Sequence, residues 1–424
     1  MDLVKLTESL KNCPCGKQHT FDTKVCEIAP GLVHKTGQIL SEAGFPKKIL
    51  LVADDNTLAA SEGILESLGK YGFEPKKLIY TNMKYARVET VRELIALSSD
   101  VGGILSVGTG SLNDICRAAS SRLGIEFAIF ATAPSMDGFA SDTAPIIENN
   151  FKTSWQCRQP SVIIADTDIL AAAPAELKAA GFGDMIAKYV AIVDWKIAAL
   201  TIDEYYCESI VRLVREAIAQ IVALADKVTG NDGEAAGKVM EALVFSGLAM
   251  KLAKSSRPAS GCEHVISHFW ECKKLVRGVW PEYHGKKVGV ATVQAVRLYR
   301  KIASENETIN PTRDMTDWKA VKAAYGPELV DDMMKCNNPN ITDKVDPARL
   351  REKWGEIRKI ILEELPTDEE VISLMKRAGA ATEPSEVNVD PKLFEEGIKY
   401  HAYMRYRLLL TRLIPMLGIK YPEI

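Results

Sequence analysis

Over the first 170 residues, short continuous apolar runs alternate with longer segments whose apolar residues recur every three to four positions. The runs "KKILLVADDN", "KKLIYT", "GGILSVGTG", "EFAIFATA" and "SVIIAD" read as strands. Between them "PGLVHKTGQILSEAG", "TLAASEGILESLGKYG", "VETVRELIALSS" and "SLNDICRAASSRLG" read as helices, the first with Pro30 near its start and Gly44 past its end. Apolar strands separated by amphipathic helices predict a parallel sheet covered on both faces. After about residue 170 the rhythm changes. "GFGDMIAKYVAIVDWKIAALTI", "ESIVRLVREAIAQIVALADKV" and "EAAGKVMEALVFSGLAMKLAKSS" all carry the helical period, and "PKLFEEGIKYHAYMRYRLLLTRLIPML" reads as one long late helical segment. The pattern predicts an α/β domain over 1–169 and an all-α domain over 170–424, with no strand in the second.

Bulk properties narrow the function classes. The 424 residues are 47% hydrophobic and 26% charged, with a net charge of −3. Such a balance offers no basic field for nucleic acid. No apolar run reaches membrane-spanning length, and "MDLVKLTESL" is not a signal peptide. The nine cysteines follow no disulfide-framework spacing and read as reduced thiols. A cytoplasmic protein without membrane insertion is expected.

Candidate chemistry gathers where predicted strands end. In "SVGTGSLND" (106–114), Gly108 and Gly110 leave room for a phosphate beside the first free N–H groups of a helix. An ordinary glycine turn is equally compatible with that stretch. Asp54, at the end of "LLVAD", can accept from a ribose hydroxyl and would repel a 2′-phosphate. Helix capping is the alternative, and it suits Asp55 better than Asp54. "ATAPSMDGFASD" (131–142) has no regular period and is a long loop on the same edge, carrying Ser135, Asp137 and Ser141. His264 and His268 stand four apart in "GCEHVISH", hence on one helix face. Val265 takes the place of the glutamate that a zinc peptidase needs, which excludes that chemistry. His284 falls at a helix start, and Asp184 is placed in the first turn of another helix. Carboxylate and imidazole together suit zinc and its first-row neighbours. "NCPCGKQH" carries Cys13, Cys15 and His19, half of a zinc knuckle. With Cys26 as the only nearby partner, a surface turn with free thiols is the favoured reading, and metal binding is the lesser alternative.

The segments "SVGTGSLND", "TAPSMDGFAS", "GFGDMIAK", "GCEHVISH" and "YHGKKVGV", in that order, resemble the sn-glycerol-1-phosphate dehydrogenases, specifically the bacterial AraM type within the iron-containing alcohol dehydrogenase and dehydroquinate synthase superfamily. The resemblance spans roughly residues 25–300. It implies a Rossmann-like dinucleotide-binding domain, a helical metal- and substrate-binding domain, and an active site in the cleft between them. It implies that Gly108, Gly110, Ser111, Leu112, Asn113, Asp114, Thr132, Ala133, Pro134, Ser135 and Ser141 contact NAD(H), or alternatively NADP(H), with Asp54 on the adenosine ribose. Asp184, His264 and His284 would ligate one divalent ion (zinc, nickel or iron). Asp137 and His268 would serve catalysis and contact substrate, as would Asp184. The implied reaction is reversible reduction of dihydroxyacetone phosphate to sn-glycerol 1-phosphate for phospholipid or ether-lipid synthesis, by a homo-oligomer of two or more chains. The rival readings are a dehydrogenase of glycerol or another small polyol, and a non-catalytic nucleotide- or metal-binding protein. Lys188, Arg257 and Lys287 are phosphate-binding candidates by sequence proximity alone.

Overall fold

The computed structural model describes residues 2–424. Eight strands form: β1 (Val25–Ala29), β2 (Lys48–Asp54), β3 (Glu74–Tyr80), β4 (Gly103–Gly108), β5 (Glu126–Ala131), β6 (Thr143–Glu148), β7 (Phe151–Gln156) and β8 (Val162–Asp166). Six of them make one all-parallel sheet in the order β1-β8-β5-β4-β2-β3. Alternate residues of each strand face opposite sides. Ile49, Leu51, Leu105 and Val107 pack with Leu40, Ile64 and Leu68, whereas Leu50, Val52, Ile104 and Ile129 join the larger core. This two-sided burial is why the strands read as continuous apolar runs.

The chain leaves β2, adds β3 outside it, then returns to place β4 on the other side. The order therefore reverses between β2 and β4, and ligands of doubly wound sheets bind beyond the carboxyl ends at such a point. Asp54 ends β2 and Gly108 ends β4.

From Thr167 onward the described residues contain no strand, as the pattern predicts. Among them no helix is long and apolar enough to cross a membrane.

Local structure departs from expectation in four places. β1 and the antiparallel hairpin β6–β7 are additional. β1 is a five-residue edge strand with Glu27 at its centre, too short and mixed to register as an apolar run. The segment 57–72 is two helices, broken at Gly63, whose φ is +93° and whose missing Cβ would lie 2.6 Å from the His34 ring. A one-residue break at Ala187 likewise separates helices Ala175–Ile186 and Lys188–Ile202. The late segment is not one helix. It runs helical over Pro391–Tyr400, opens, and resumes at Leu410–Leu417. In the opening, the Arg405 guanidinium donates to the Lys152 carbonyl, and Arg407 donates to Ser256 Oγ and the Ser260 carbonyl. These bonds tie the two arginines of the opening to the neighbouring hairpin and loop.

Candidate functional site

The site is assembled by close backbone approach. Helix Ala175–Ile186 lies against helix His284–Glu305 and the loop 132–142, and glycines make the contact. A Cβ on Gly181 would stand 1.9 Å from the Pro134 carbonyl oxygen. One on Gly285 would stand 2.1 Å from that of Ala180 and 2.9 Å from that of Ser135, and Gly183 faces Gly289. Gly247 does the same for helix Gly233–Ala253, where a Cβ would meet the Ala140 backbone at 2.9 Å. The glycines of "GFGDMIAK" and "YHGKKVGV" are thus packing devices that carry Asp184 to His284.

Asp184 is fully buried in the last turn of its helix, not in the first turn as expected. A carboxylate at that end opposes the helix dipole, so it is there for its partners. Its Oδ2 accepts from the Asp137 backbone N–H at 2.9 Å. Its Oδ1 lies 3.3 Å from Lys188 Nζ and 3.4 Å from His264 Nε2. Burial opposes its ionisation, but Lys188, the His264 contact and His284 outweigh this and hold the carboxyl well below its usual range. Donor atoms of Asp184, His264 and His284 all lie within 4.8 Å of one another. Ligands of a tetrahedral ion at about 2.0–2.1 Å stand about 3.4 Å apart, which is the Asp184–His264 separation.

Three further observations fit a cation at this point. His264 Nδ1 bonds Glu263 Oε1 at 2.7 Å, which fixes the ring and turns Nε2 toward Asp184. His284 Nδ1 is buried with no hydrogen-bond partner. Charge is also out of balance: Asp137, Asp184 and Glu263 face a single ammonium, Lys188, whose Nζ is 2.6 Å from Asp137 Oδ2. The deficit is two positive charges, and a divalent ion fills it. Burial lowers the affinity of His264 for a proton, but Asp184 and Glu263 more than reverse this and raise its pKa. Without the ion, the same carboxylates favour the protonated form of this ring.

His268 belongs to the same cluster. Its ring stacks on His284 with centroids 5.8 Å apart, and Arg405 Nη2 is 3.5 Å from its Nδ1. Burial, then Arg405 and Lys152, push its pKa well below the ordinary histidine value. A neutral ring accepting at Nδ1 carries its proton on Nε2. His268, Glu271 and His284 form a second close donor set. That set disfavours a metal, because Glu271 is already bound by Lys152 at 3.2 Å and Lys287 at 3.0 Å. Burial raises the Glu271 pKa, but those two ammonium groups depress it well below the usual range. Lys152, Lys287 and Arg405 against one carboxylate leave positive charge beside His268.

Of the three lysine and arginine candidates, only Lys287 stands where an anion could meet it. Lys188 is consumed by Asp137 and Asp184, and Arg257 by Glu204 at 2.6 Å and the Leu408 carbonyl. Lys152 and Arg405 escape sequence reasoning because they lie on the hairpin and in the broken late segment. The hairpin had one signal: Asn149-Asn150, both with positive φ, joins two short strands. Ser246, which donates to Asp137 Oδ2 at 2.9 Å, gives no local signal. Glu263 did have one, since it adjoins His264.

The nucleotide edge is laid out as follows. Gly108 ends β4, where a Cβ would meet Leu112 at 2.4 Å, and Gly110 opens the next helix with φ +38°. Thr109 provides no side-chain cap; its hydroxyl bonds that of Ser135 at 2.7 Å. The first-turn N–H groups of Gly110 and Ser111 thus remain for an anion. Ser111 Oγ donates to the Lys84 carbonyl, and Leu112 packs into the core. Asn113 Oδ1 accepts from Ser106 at 2.7 Å while its buried Nδ2 has no partner, and Asp114 pairs with Arg117 at 3.1 Å. Burial pushes the Asp114 pKa up to about 6 despite Arg117. Arg117 also donates to the carbonyls of Gly138, Phe139 and Thr143, which fastens the loop that carries Asp137. Thr132, Ala133, Pro134, Ser135 and Ser141 line that buried loop, and Ser141 bonds Thr143. Asp54, rather than Asp55, is the helix cap: Oδ1 accepts from Thr57 N–H at 2.9 Å and Oδ2 from Met83 N–H at 3.2 Å. Each oxygen keeps a lone pair for another donor.

Sheet, helical half and donor set together define the fold class of the iron-containing alcohol dehydrogenases, whose family model matches residues 27–174. Solved structures of this kind share the fold. Glycerol dehydrogenase from Schizosaccharomyces pombe is 18% identical, with a TM-score of 0.56 over 96% of this chain and 99% of that one. NADH-dependent butanol dehydrogenase A from Thermotoga maritima is 16% identical, with a TM-score of 0.59 over 95% and 94%. Sequence relatives are nearer. A glycerol-1-phosphate dehydrogenase [NAD(P)+] from Geobacillus stearothermophilus is 30% identical over 97% of this chain and 96% of its own length. One from Bacillus subtilis is 34% identical over 70% and 78%. The chain belongs to the glycerol-1-phosphate dehydrogenase family.

Proposed function

We propose that this chain is a metal-dependent, NAD(P)(H)-linked oxidoreductase that interconverts dihydroxyacetone phosphate and sn-glycerol 1-phosphate. The observation that carries the reading is the convergence of Asp184, His264 and His284 within 4.8 Å, ringed by carboxylates short of two positive charges. Those three residues would hold a divalent first-row ion. A bound ion would supply Lewis-acid polarisation of a carbonyl oxygen, and a reduced nicotinamide would supply the hydride. Asp137, fixed by Lys188 and Ser246, orients a substrate hydroxyl. His268 donates its Nε2–H as a hydrogen bond to the carbonyl oxygen, and the proton that completes the alcohol comes from solvent through water. Lys152, Lys287 and Arg405 receive the phosphate. The free N–H groups at Gly110 and Ser111 receive the dinucleotide pyrophosphate, and Asp54 favours NAD(H) over NADP(H).

Elemental analysis of purified protein, with NADH-linked turnover of dihydroxyacetone phosphate, tests the reading. A stoichiometric ion and turnover are expected. Turnover of glycerol in place of the phosphorylated pair would make the protein a polyol dehydrogenase instead. Lys287→Met is expected to raise KM for dihydroxyacetone phosphate at least about tenfold, about 1.4 kcal/mol. KM for unphosphorylated dihydroxyacetone should barely move. Equal loss for both ketones would remove Lys287 from the phosphate site.

A further inference from the structure

Four donor residues remain that the reaction does not use. Cys13 and Cys15 sit in the turn after helix Leu3–Leu10, where Gly16 takes φ +74°. His19 follows and is buried. Cys207 is the cap residue at the start of helix Glu208–Val222. Cys13 Sγ lies 3.5 Å from Cys207 Sγ, Cys15 Sγ 3.2 Å from His19 Nε2, and Cys207 Sγ 3.7 Å from the same nitrogen. All four donor atoms fall within 4.8 Å of one another.

Those spacings match one coordination polyhedron. A tetrahedral zinc with Zn–S of about 2.3 Å and Zn–N of about 2.1 Å has edges of about 3.8 Å between sulfurs and about 3.6 Å from sulfur to nitrogen. A disulfide would need sulfurs about 2.05 Å apart, and this pair is well beyond that. Weak thiol hydrogen bonds alone are a poor reason to gather three cysteines and an imidazole from segments 188 residues apart.

The surroundings are built for ligands as well. The Leu252 carbonyl, 2.9 Å from His19 Nδ1, accepts a hydrogen bond from it. That contact fixes the tautomer and leaves the Nε2 lone pair facing the sulfurs, as the outer partners of metal-bound imidazoles do. Tyr205 donates its hydroxyl to Cys15 Sγ at 3.3 Å.

We propose that Cys13, Cys15, His19 and Cys207 hold a structural zinc ion, separate from the Asp184 site and sharing no residue with it. Four protein ligands close the shell and leave no position for substrate, so the role is to fasten the N-terminal segment. The ion joins residues 13–19 to the helix starting at Glu208 and, through His19, to the end of helix Gly233–Ala253. The sequence favoured a surface turn, with metal binding as the lesser alternative, because the fourth ligand is Cys207, far along the chain, and not the nearby Cys26.

The test uses the full chain with the other site disabled, as the His264→Ala/His284→Ala variant. That protein is expected to keep about one zinc per chain and to release it when an organomercurial titrates its thiols. Its cobalt-substituted form should show intense thiolate-to-cobalt charge-transfer absorption, lost on adding Cys207→Ser. Zinc at trace level in the double variant, cobalt binding without that absorption, or a Cys13–Cys207 disulfide found by mass spectrometry of unreduced protein would each overturn the proposal. If Cys207→Ser does not fold, the cobalt spectrum of the double variant decides alone.

Discussion

At the scale of single residues, the candidate metal site rests on His264, whose two ring nitrogens have separate tasks. Nδ1 is held by Glu263 and Nε2 points at Asp184. His264→Ala is expected to lose ion and activity together; full occupancy in that variant would end the ligand assignment. A pH dependence follows from the same ring. In the ion-free protein the pKa of His264 is raised, whereas burial keeps His284 well below the ordinary value and Asp184 stays ionised. An arriving cation therefore displaces one proton, from His264. Apparent affinity should be flat above the raised pKa and fall as pH drops through it, by about tenfold per unit. A slope of two protons, measured by competition with a chelator dye, would mean that His284 is protonated as well. Glu263, adjacent in sequence, was within reach of reasoning about imidazole partners. Arg405 was not, because nothing local distinguishes it from a solvated arginine.

At the scale of elements, the strands that bury both faces and the edge strand β3 were legible, and the edge strand β1 and the hairpin were not. β2, β4, β5 and β8 each carry a buried, mainly apolar run of five or more residues, so the sequence pattern alone marks them. β1 and β6–β7 owe their conformation to neighbours, and β7 brings in Lys152. The late segment fails for the same reason, since tertiary bonds to Arg405 and Arg407 override helix propensity. The glycines of the two ligand-bearing helices were legible as motifs but not as packing. Gly285→Ala forces a methyl against two carbonyl oxygens. It should cost about 1–3 kcal/mol and, by parting Asp184 from His284, reduce metal occupancy beyond what the loss of stability explains. Gly355→Ala is the matched control: it is helical, nothing lies within 4 Å of its added Cβ, and it should stabilise by about 1 kcal/mol. Unchanged metal content in a folded Gly285→Ala protein would refute the packing role.

At the scale of the whole molecule, the candidate site is where parts of the chain distant in sequence are joined. Asp137 comes from the loop after β5, Asp184 from helix Ala175–Ile186, His264 from helix Cys262–Val276 and His284 from helix His284–Glu305. The fold alone brings them near, as the glycine contacts show. It leaves Lys188 facing three carboxylates, so the ion-free protein stores unbalanced buried charge. A ligand that binds only the folded state stabilises it by mass action, about 2.7 kcal/mol at a hundredfold excess over Kd. Chelation should therefore lower the melting temperature, and restored divalent ion should raise it again. The His264→Ala protein supplies the needed contrast. Without the Asp184 site it should already melt low and respond less to chelator, and any remaining response belongs to the cysteine cluster. If wild type and His264→Ala lose equal stability on chelation, the ion at Asp184 does not hold these helices together, and the charge deficit must be met by protonation alone.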